Sequence, residues 1–389
     1  MKSDVNALVA LVLLGIAGLG GSWLLLGTDR GTPTMPAQSA GVTFSIPPHP
    51  TTTPSKEPTA PKKSSTLVNP KPTSTKTTIS ARTATPTISA SSSFQVVRIQ
   101  NPYTSGQLTP ETLNVRARAA LVNILCMPRS GGSLSPISGS GVIIDSRGII
   151  LTNAHVAQYV LLSEIPEVDL ACTIRTGAPA TAQWNARVLY ISPAWVNKHA
   201  HQVNEGHPLG SGEDDFALLT ITNSITSTPL PKTFSYLPVD TRPHIAFLDD
   251  PVLVATYPAE FVGGLVAQQN LYPASSFSTV QQFYTFSTGS VDLFSVGGVI
   301  EAQGGSSGGA VANLWGYLVG IISTTSEGTT TAARELRALS TDYINRALII
   351  ENGKGIDSAL QNNTEDELRQ FEQTLLPSLS KTYLTLLKR

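Results

Sequence analysis

The sequence predicts an all-β protein, an antiparallel sandwich or barrel, with helices near its C-terminal end. Three observations predict this. Short aliphatic and β-branched runs recur from residue 119 onward, each bounded by Gly, Pro, Asn or Asp. Charged residues make up only 14% of the chain, which is rich in Ser, Thr, Gly and Pro and so suits extracytoplasmic sheet better than cytosolic helix. Amphipathic helical spacing appears late, in "TDYINRALIIENG" and "EDELRQFEQTLLPSLSKTYLTLLK". The 389 residues allow about two domains, and a formal net charge of -1 gives no footprint for nucleic acid.

The first element is "ALVALVLLGIAGLGGSWLLLG", residues 7–27, which carries no charge over 21 positions. That is long enough to cross a hydrocarbon core as a helix. A cleaved signal would have a shorter apolar run with its small-residue site close behind, and "AQSA" lies well past this one. Residues 1–30 are therefore read as a signal-anchor, which places the rest of the chain outside the cytoplasm and gives it a membrane as partner. Residues 31–94 are Thr, Ser and Pro with little to bury, and read as an extended, disordered linker. As a proline-rich stalk it could reach on the order of 100 Å.

Folded sequence starts near Gln95. In order come "SGVIIDSRGIILTNAHV", "VDLACTIRTG", "ARVLYIS", "FALLTIT", "PVLVATYP", "QFYTFSTGSV" and "GYLVGIIS", each read as strand or strand-turn-strand. Cys126 and Cys172 each sit in such a run. An even count in an exported protein allows a disulfide between them, and two buried thiols is the alternative. His199, His201, His207 and Glu205 crowd one loop, but their spacing matches no structural metal pattern, so no metal is expected. In the C-terminal tail Leu368, Phe371 and Leu375 share a helical face, which should dock on the barrel.

The chemistry is concentrated in "EAQGGSSGGAVAN", residues 301–313. Apolar strands flank it on both sides, so it is a turn and not a flexible linker. A serine hydroxyl needs a base, a group to orient that base, and N–H donors for the developing oxyanion. Glycines around Ser307 free the backbone to present it, making Ser307 the candidate nucleophile. The turn amides of Gly305, Ser306 and Ser307 are the oxyanion set, with Gly305 and Ser307 as donors. "GSSGG" also matches the α/β-hydrolase elbow, whose histidine follows the serine. Here all six histidines, from His49 to His244, precede Ser307. The order His, Asp, Ser remains, with His155 in "TNAHV" as base and Asp215 in "DDFALLTI" as orienter.

These three motifs, with "GGSSGGAVANLWGYLVGI", resemble those of trypsin-like (chymotrypsin-fold) serine proteases, most like the bacterial HtrA/Deg-type branch. The resemblance runs from about residue 119 to 350. It implies two six-stranded antiparallel β-barrels with the site in the cleft between them. The protease domain would cover residues 95–350, the first barrel about 112–245 and the second about 246–340, followed by a helical tail, 351–389. That tail is too short for a PDZ domain. Ser306 stands where digestive enzymes carry an acid, so activation by a new N-terminus is not expected.

The resemblance also implies substrate contacts. Glu301, six residues before Ser307, would lie near the base of the S1 pocket and favour Lys or Arg there. The alternative is that Glu301 points to solvent and P1 is small or aliphatic. Ser323 and Thr324 match the strand edge that pairs with substrate backbone. The expected function is a membrane-anchored serine endopeptidase acting on proteins or peptides, without a cofactor. A catalytically inactive binding module and a stalked surface protein are the alternatives, and homo-oligomerisation is left open.

Overall fold

In a computed structural model the described residues are 102–388, apart from 131–133, 206–209, 244–245, 261–263, 287–288 and 326–329. The expected membrane anchor, residues 7–27, and the stalk, residues 31–94, lie outside them. Among the described residues no helix is long and apolar enough to cross a membrane.

A helix, α1 (Pro110–Ala120), opens the folded part, with Thr109 capping it and Leu113, Ala117 and Ala120 buried. Strands β1 (Leu121–Met127), β2 (Ile137–Asp145), β3 (Ile149–Thr152), β4 (Ala171–Thr176), β5 (Thr181–Ile191) and β6 (Ala217–Ser224) follow. They close into an antiparallel barrel in the order β1-β2-β3-β6-β5-β4. Closure places Cys126 opposite Cys172 on β1 and β4, Cα atoms 4.0 Å apart, and a disulfide joins them.

Two helices were absent from the sequence reading of this barrel. One, α2 (Ala154–Ser163), follows β3 directly. Its sequence is apolar nearly throughout and eight of its residues are buried, so it has no polar face to produce a helical period. The other, α3 (Pro193–His199), with a 3-10 turn at Ala200–Asn204, takes in His199 and His201 of the histidine loop.

The second half contains β7 (Pro251–Thr256), the short α4 (Gly264–Gln269), β8 (Ala274–Thr279), β9 (Gln282–Tyr284), β10 (Leu293–Gly297), β11 (Ala310–Asn313), β12 (Leu318–Thr325) and β13 (Leu336–Ser340). The expected second six-stranded barrel is instead a curled sheet of seven strands, ordered β8-β7-β11-β12-β13-β10-β9. Its two edges, β8 and β9, are separated in the chain only by Val280 and Gln281. The chain breaks at that corner because Val280 bonds back to Asp250 beside β7 while Gln281 bonds to Ser295 of β10.

Four helices end the chain: α5 (Thr341–Asn352), α6 (Ile356–Gln361), α7 (Thr364–Thr374) and α8 (Leu376–Leu387). The expected tail helix is thus two, joined at Leu375. Three apolar clusters hold the fold. The first fills the β1–β6 barrel with Val122, Ile124, Ile150 and Leu219, and takes in α2 together with Phe371, Leu379 and Tyr383 of the tail. Docking of the tail on the barrel is therefore observed. The second joins the two sheets, with Leu151 and Leu218 meeting Leu253, Ala310 and Ile321. The third fills the second sheet.

Candidate active site

His155 is the second residue of α2. Asn153 precedes that helix and donates through Nδ2 to the carbonyl of Asp215 at 2.9 Å. The His155 amide, an unpaired donor of the first helical turn, donates to Asp215 Oδ1 at 2.9 Å. The ring nitrogen Nδ1 meets Asp215 Oδ2 at 2.8 Å. The Ser323 hydroxyl donates to the same Oδ2 at 2.9 Å. Asp215 is 4% exposed, so this carboxylate is satisfied by three donors and not by water. Burial alone would lower the His155 pKa, but the Asp215 charge and hydrogen bond outweigh it and hold the ring above its ordinary value.

Asp215 lies just before β6. Its neighbour Asp214 adopts a left-handed backbone, φ 58°, and is held by Tyr343 of α5, whose hydroxyl donates to Asp214 Oδ1 at 2.8 Å and accepts from the Asp214 amide at 3.0 Å. Of the two adjacent acids, then, only Asp215 meets the histidine.

Ser307 sits half-buried in the turn before β11. Its carbonyl accepts from the Ser140 amide of β2 at 2.8 Å. The next amide, Gly308, donates to Ile322 of β12 at 2.8 Å, and Ile322 returns a bond to Gly309 at 2.9 Å. Gly308 has φ +83°, and a Cβ there would lie 2.0 Å from the Ser140 carbonyl oxygen and 2.4 Å from Thr152 Oγ1. Only glycine permits this approach. Gly305 also has positive φ, +90°.

The Ser306 amide donates to the Gln303 carbonyl at 3.3 Å, and its hydroxyl meets Thr256 Oγ1 at 3.1 Å. Ser306 is thus buried and engaged inward, unlike the exposed amide that an oxyanion donor would need. Ser140, which the sequence reading did not single out, sets this geometry. Its hydroxyl donates to the Gly305 carbonyl at 2.8 Å and accepts from the Tyr257 amide at 2.9 Å. The one local signal was its place between glycines in "SGSG".

The residues expected to contact substrate separate. Ser323 spends its side chain on Asp215, next to the strand edge expected to pair with substrate. Thr324 follows it on β12, in register with Arg337 of β13. Glu301 does not face solvent. It is fully buried, with Oε2 accepting from Ser276 of β8 at 2.6 Å and Oε1 without a hydrogen-bond partner among the described residues. Burial pushes its pKa up, against the Ser276 bond and the charge of Arg118 on α1. These partners lie on β8 and α1, away from the β12 edge. In the histidine loop, His199 stacks on Trp195 at 5.4 Å, and His207 lies outside the described residues. Among the described residues no group of three His, Cys, Asp or Glu could hold a metal ion.

Residues 139–321 match the family model of the trypsin-like peptidase domain. No curated protein matches the sequence. Among solved structures, the serine endoprotease from Yersinia pestis is similar, at 19% identity and a TM-score of 0.40, over 64% of this chain and 70% of that one. Over residues 139–321 the chain is thus similar to the trypsin-like peptidase domain.

Proposed function

We propose that His155, Asp215 and Ser307 act as a catalytic triad that hydrolyses peptide bonds through an acyl-enzyme. One relationship carries the reading. Asp215 receives both the His155 ring and Ser323, and Ile322, beside Ser323, exchanges backbone bonds with Gly308 and Gly309, the two residues after Ser307. With Nδ1 committed to Asp215, Nε2 is the nitrogen left to take a proton from the Ser307 hydroxyl. The serine oxygen then bonds to the substrate carbonyl carbon, and the resulting oxyanion is held by the amides of Gly305 and Ser307. His155 returns the proton to the leaving amine as the C–N bond breaks. Water attacks the acyl ester by the same steps in reverse, with His155 again the base.

The substrate is a protein or peptide lying along the Ser323–Thr324 edge as an added strand. A small or aliphatic P1 side chain is favoured. Ala302, adjacent to Glu301, packs with Leu336 and Ala338 in the apolar third cluster, while Glu301 itself is tied to Ser276. The uncharged run at 7–27 and the polar stalk at 31–94 support a membrane-anchored enzyme acting outside the cytoplasm.

Labelling of the chain by a fluorophosphonate tests the reading. Wild type should label, and Ser307→Ala and His155→Ala should not. A folded wild type that fails to label would favour the binding-module alternative.

A further inference from the structure

The C-terminal helix reaches the backbone of the histidine. Tyr383 of α8 is fully buried, and its hydroxyl donates to Gln158 Oε1 at 3.1 Å. Gln158 lies on α2 three residues beyond His155 and is 3% exposed. Its Nε2 donates to the His155 carbonyl at 3.0 Å. The amide is thus engaged at both ends, its oxygen by the tail and its nitrogen by the histidine. It cannot flip or turn away without leaving a buried polar group unpaired.

The same tail grips the other end of α2. Glu164, which caps that helix, pairs with Arg187 of β5 at 2.8 Å, and Arg187 pairs with Glu372 of α7 at 2.5 Å. Phe371 and Leu379 seat α7 and α8 in the cluster that contains α2. The His155 backbone is therefore held on two sides, its amide by Asp215 and its carbonyl, through Gln158, by Tyr383.

We propose that Tyr383 and Gln158 are positioning residues for His155, acting through the chain of hydrogen bonds from the Tyr383 hydroxyl to the His155 carbonyl. The inference rests on His155 being the base. Tyr383 fixes the Gln158 amide, and Gln158 fixes the height of the first turn of α2. The imidazole then keeps its alignment with Asp215 and with the Ser307 hydroxyl. A phenylalanine at 383 would fill the same space, so the hydroxyl is the group under test.

The experiment uses the full chain with Tyr383→Phe, Gln158→Leu, the double variant and Leu379→Ala. Leu379→Ala loosens α8 but keeps the hydroxyl. Peptide hydrolysis gives kcat and KM, melting gives stability, and proton NMR follows the His155 Nδ1–H that bonds Asp215. Tyr383→Phe should lower kcat roughly tenfold with KM unchanged, the scale of a small misplacement of a reacting group. It should also shift or broaden the Nδ1–H signal. The double variant should be no slower than Gln158→Leu, because both act through one bond chain. Leu379→Ala should lower melting while keeping kcat and the signal near wild type at low temperature. An unchanged kcat and signal in Tyr383→Phe would overturn the proposal, as would kcat losses that track melting in all variants. A wild type that does not label with fluorophosphonate would sink the protease reading alone, since the Nδ1–H signal reads the tether without turnover.

Discussion

The hydroxyl of Ser140 donates to the carbonyl of Gly305 at 2.8 Å, across 165 residues of sequence. It ties the first barrel to the peptide preceding Ser306, and so aims the turn that presents Ser307. Ser140→Ala removes that bond and the acceptor for the Tyr257 amide. A cost of about 1–3 kcal/mol is expected for the buried group left unpaired. Activity should fall further than stability, with kcat down roughly tenfold, less than the roughly 10²–10³ lost when an oxyanion donor itself is removed, because Ser140 acts only through the proposed hole. Denaturant unfolding and steady-state kinetics on one preparation measure both.

Gly308→Ala should be more damaging to the fold. The left-handed backbone costs a side chain about 1–2 kcal/mol, before any clash. The clash is with the Ser140 carbonyl oxygen, at 2.0 Å, and that atom also accepts from Thr152. A urea midpoint unchanged from wild type would show that the turn can move away from β2.

His155 sets the pH dependence. Its pKa is held above the ordinary 6.5, and the proposed catalysis needs the neutral ring. The acid limb of kcat/KM should therefore fall above pH 6.5. Asp215→Asn should lose that upward shift and reduce kcat by roughly 10³–10⁴-fold. The stability sign runs the other way: the protonated ring stabilises the fold fully below 6.5, and this is lost as pH rises through the folded value. His155→Ala should therefore flatten the stability profile in that window. A limb centred below 6.5 in wild type would contradict the assignment.

Glu301 behaves oppositely to a surface acid. Burial raises its pKa above the ordinary 4.5, so its stabilising contribution is present below 4.5 and lost as pH rises through the folded value. Glu301→Gln keeps the shape and removes the buried charge. It should melt higher than wild type at pH 8, with the difference shrinking toward pH 4. Because Ser276 and not the β12 edge holds this carboxylate, the P1 profile should not change. A loss of Lys/Arg cleavage in Glu301→Gln would restore the pocket reading.

Much of the β architecture was legible because strands carry their own signals. "FALLTIT" and "PVLVATYP" are apolar runs bounded by turn residues, and both are strands, β6 and β7. The helix α5 carries a serine cap at Ser340 and a left-handed glycine at Gly353, the local chemistry of helix ends. The opening helix α1 offered the same kind of signal, Thr109 followed by proline, and was overlooked. The helix α2 offered none, since a segment buried all round has no amphipathic period.

The sequence by itself determined the chemical types and their order: a histidine after an apolar strand, an aspartate before another, and a serine among glycines. Those are local patterns, set by what a strand end or tight turn requires of its own residues. The tertiary structure alone decided that Ser323 serves Asp215, that Glu301 turns to Ser276, that Ser306 faces inward, and that Tyr383 reaches Gln158 from 225 residues away. Each is a choice of hydrogen-bond partner made after burial. A buried polar group takes whichever partner the packed chain brings within reach, and no local pattern encodes that distance.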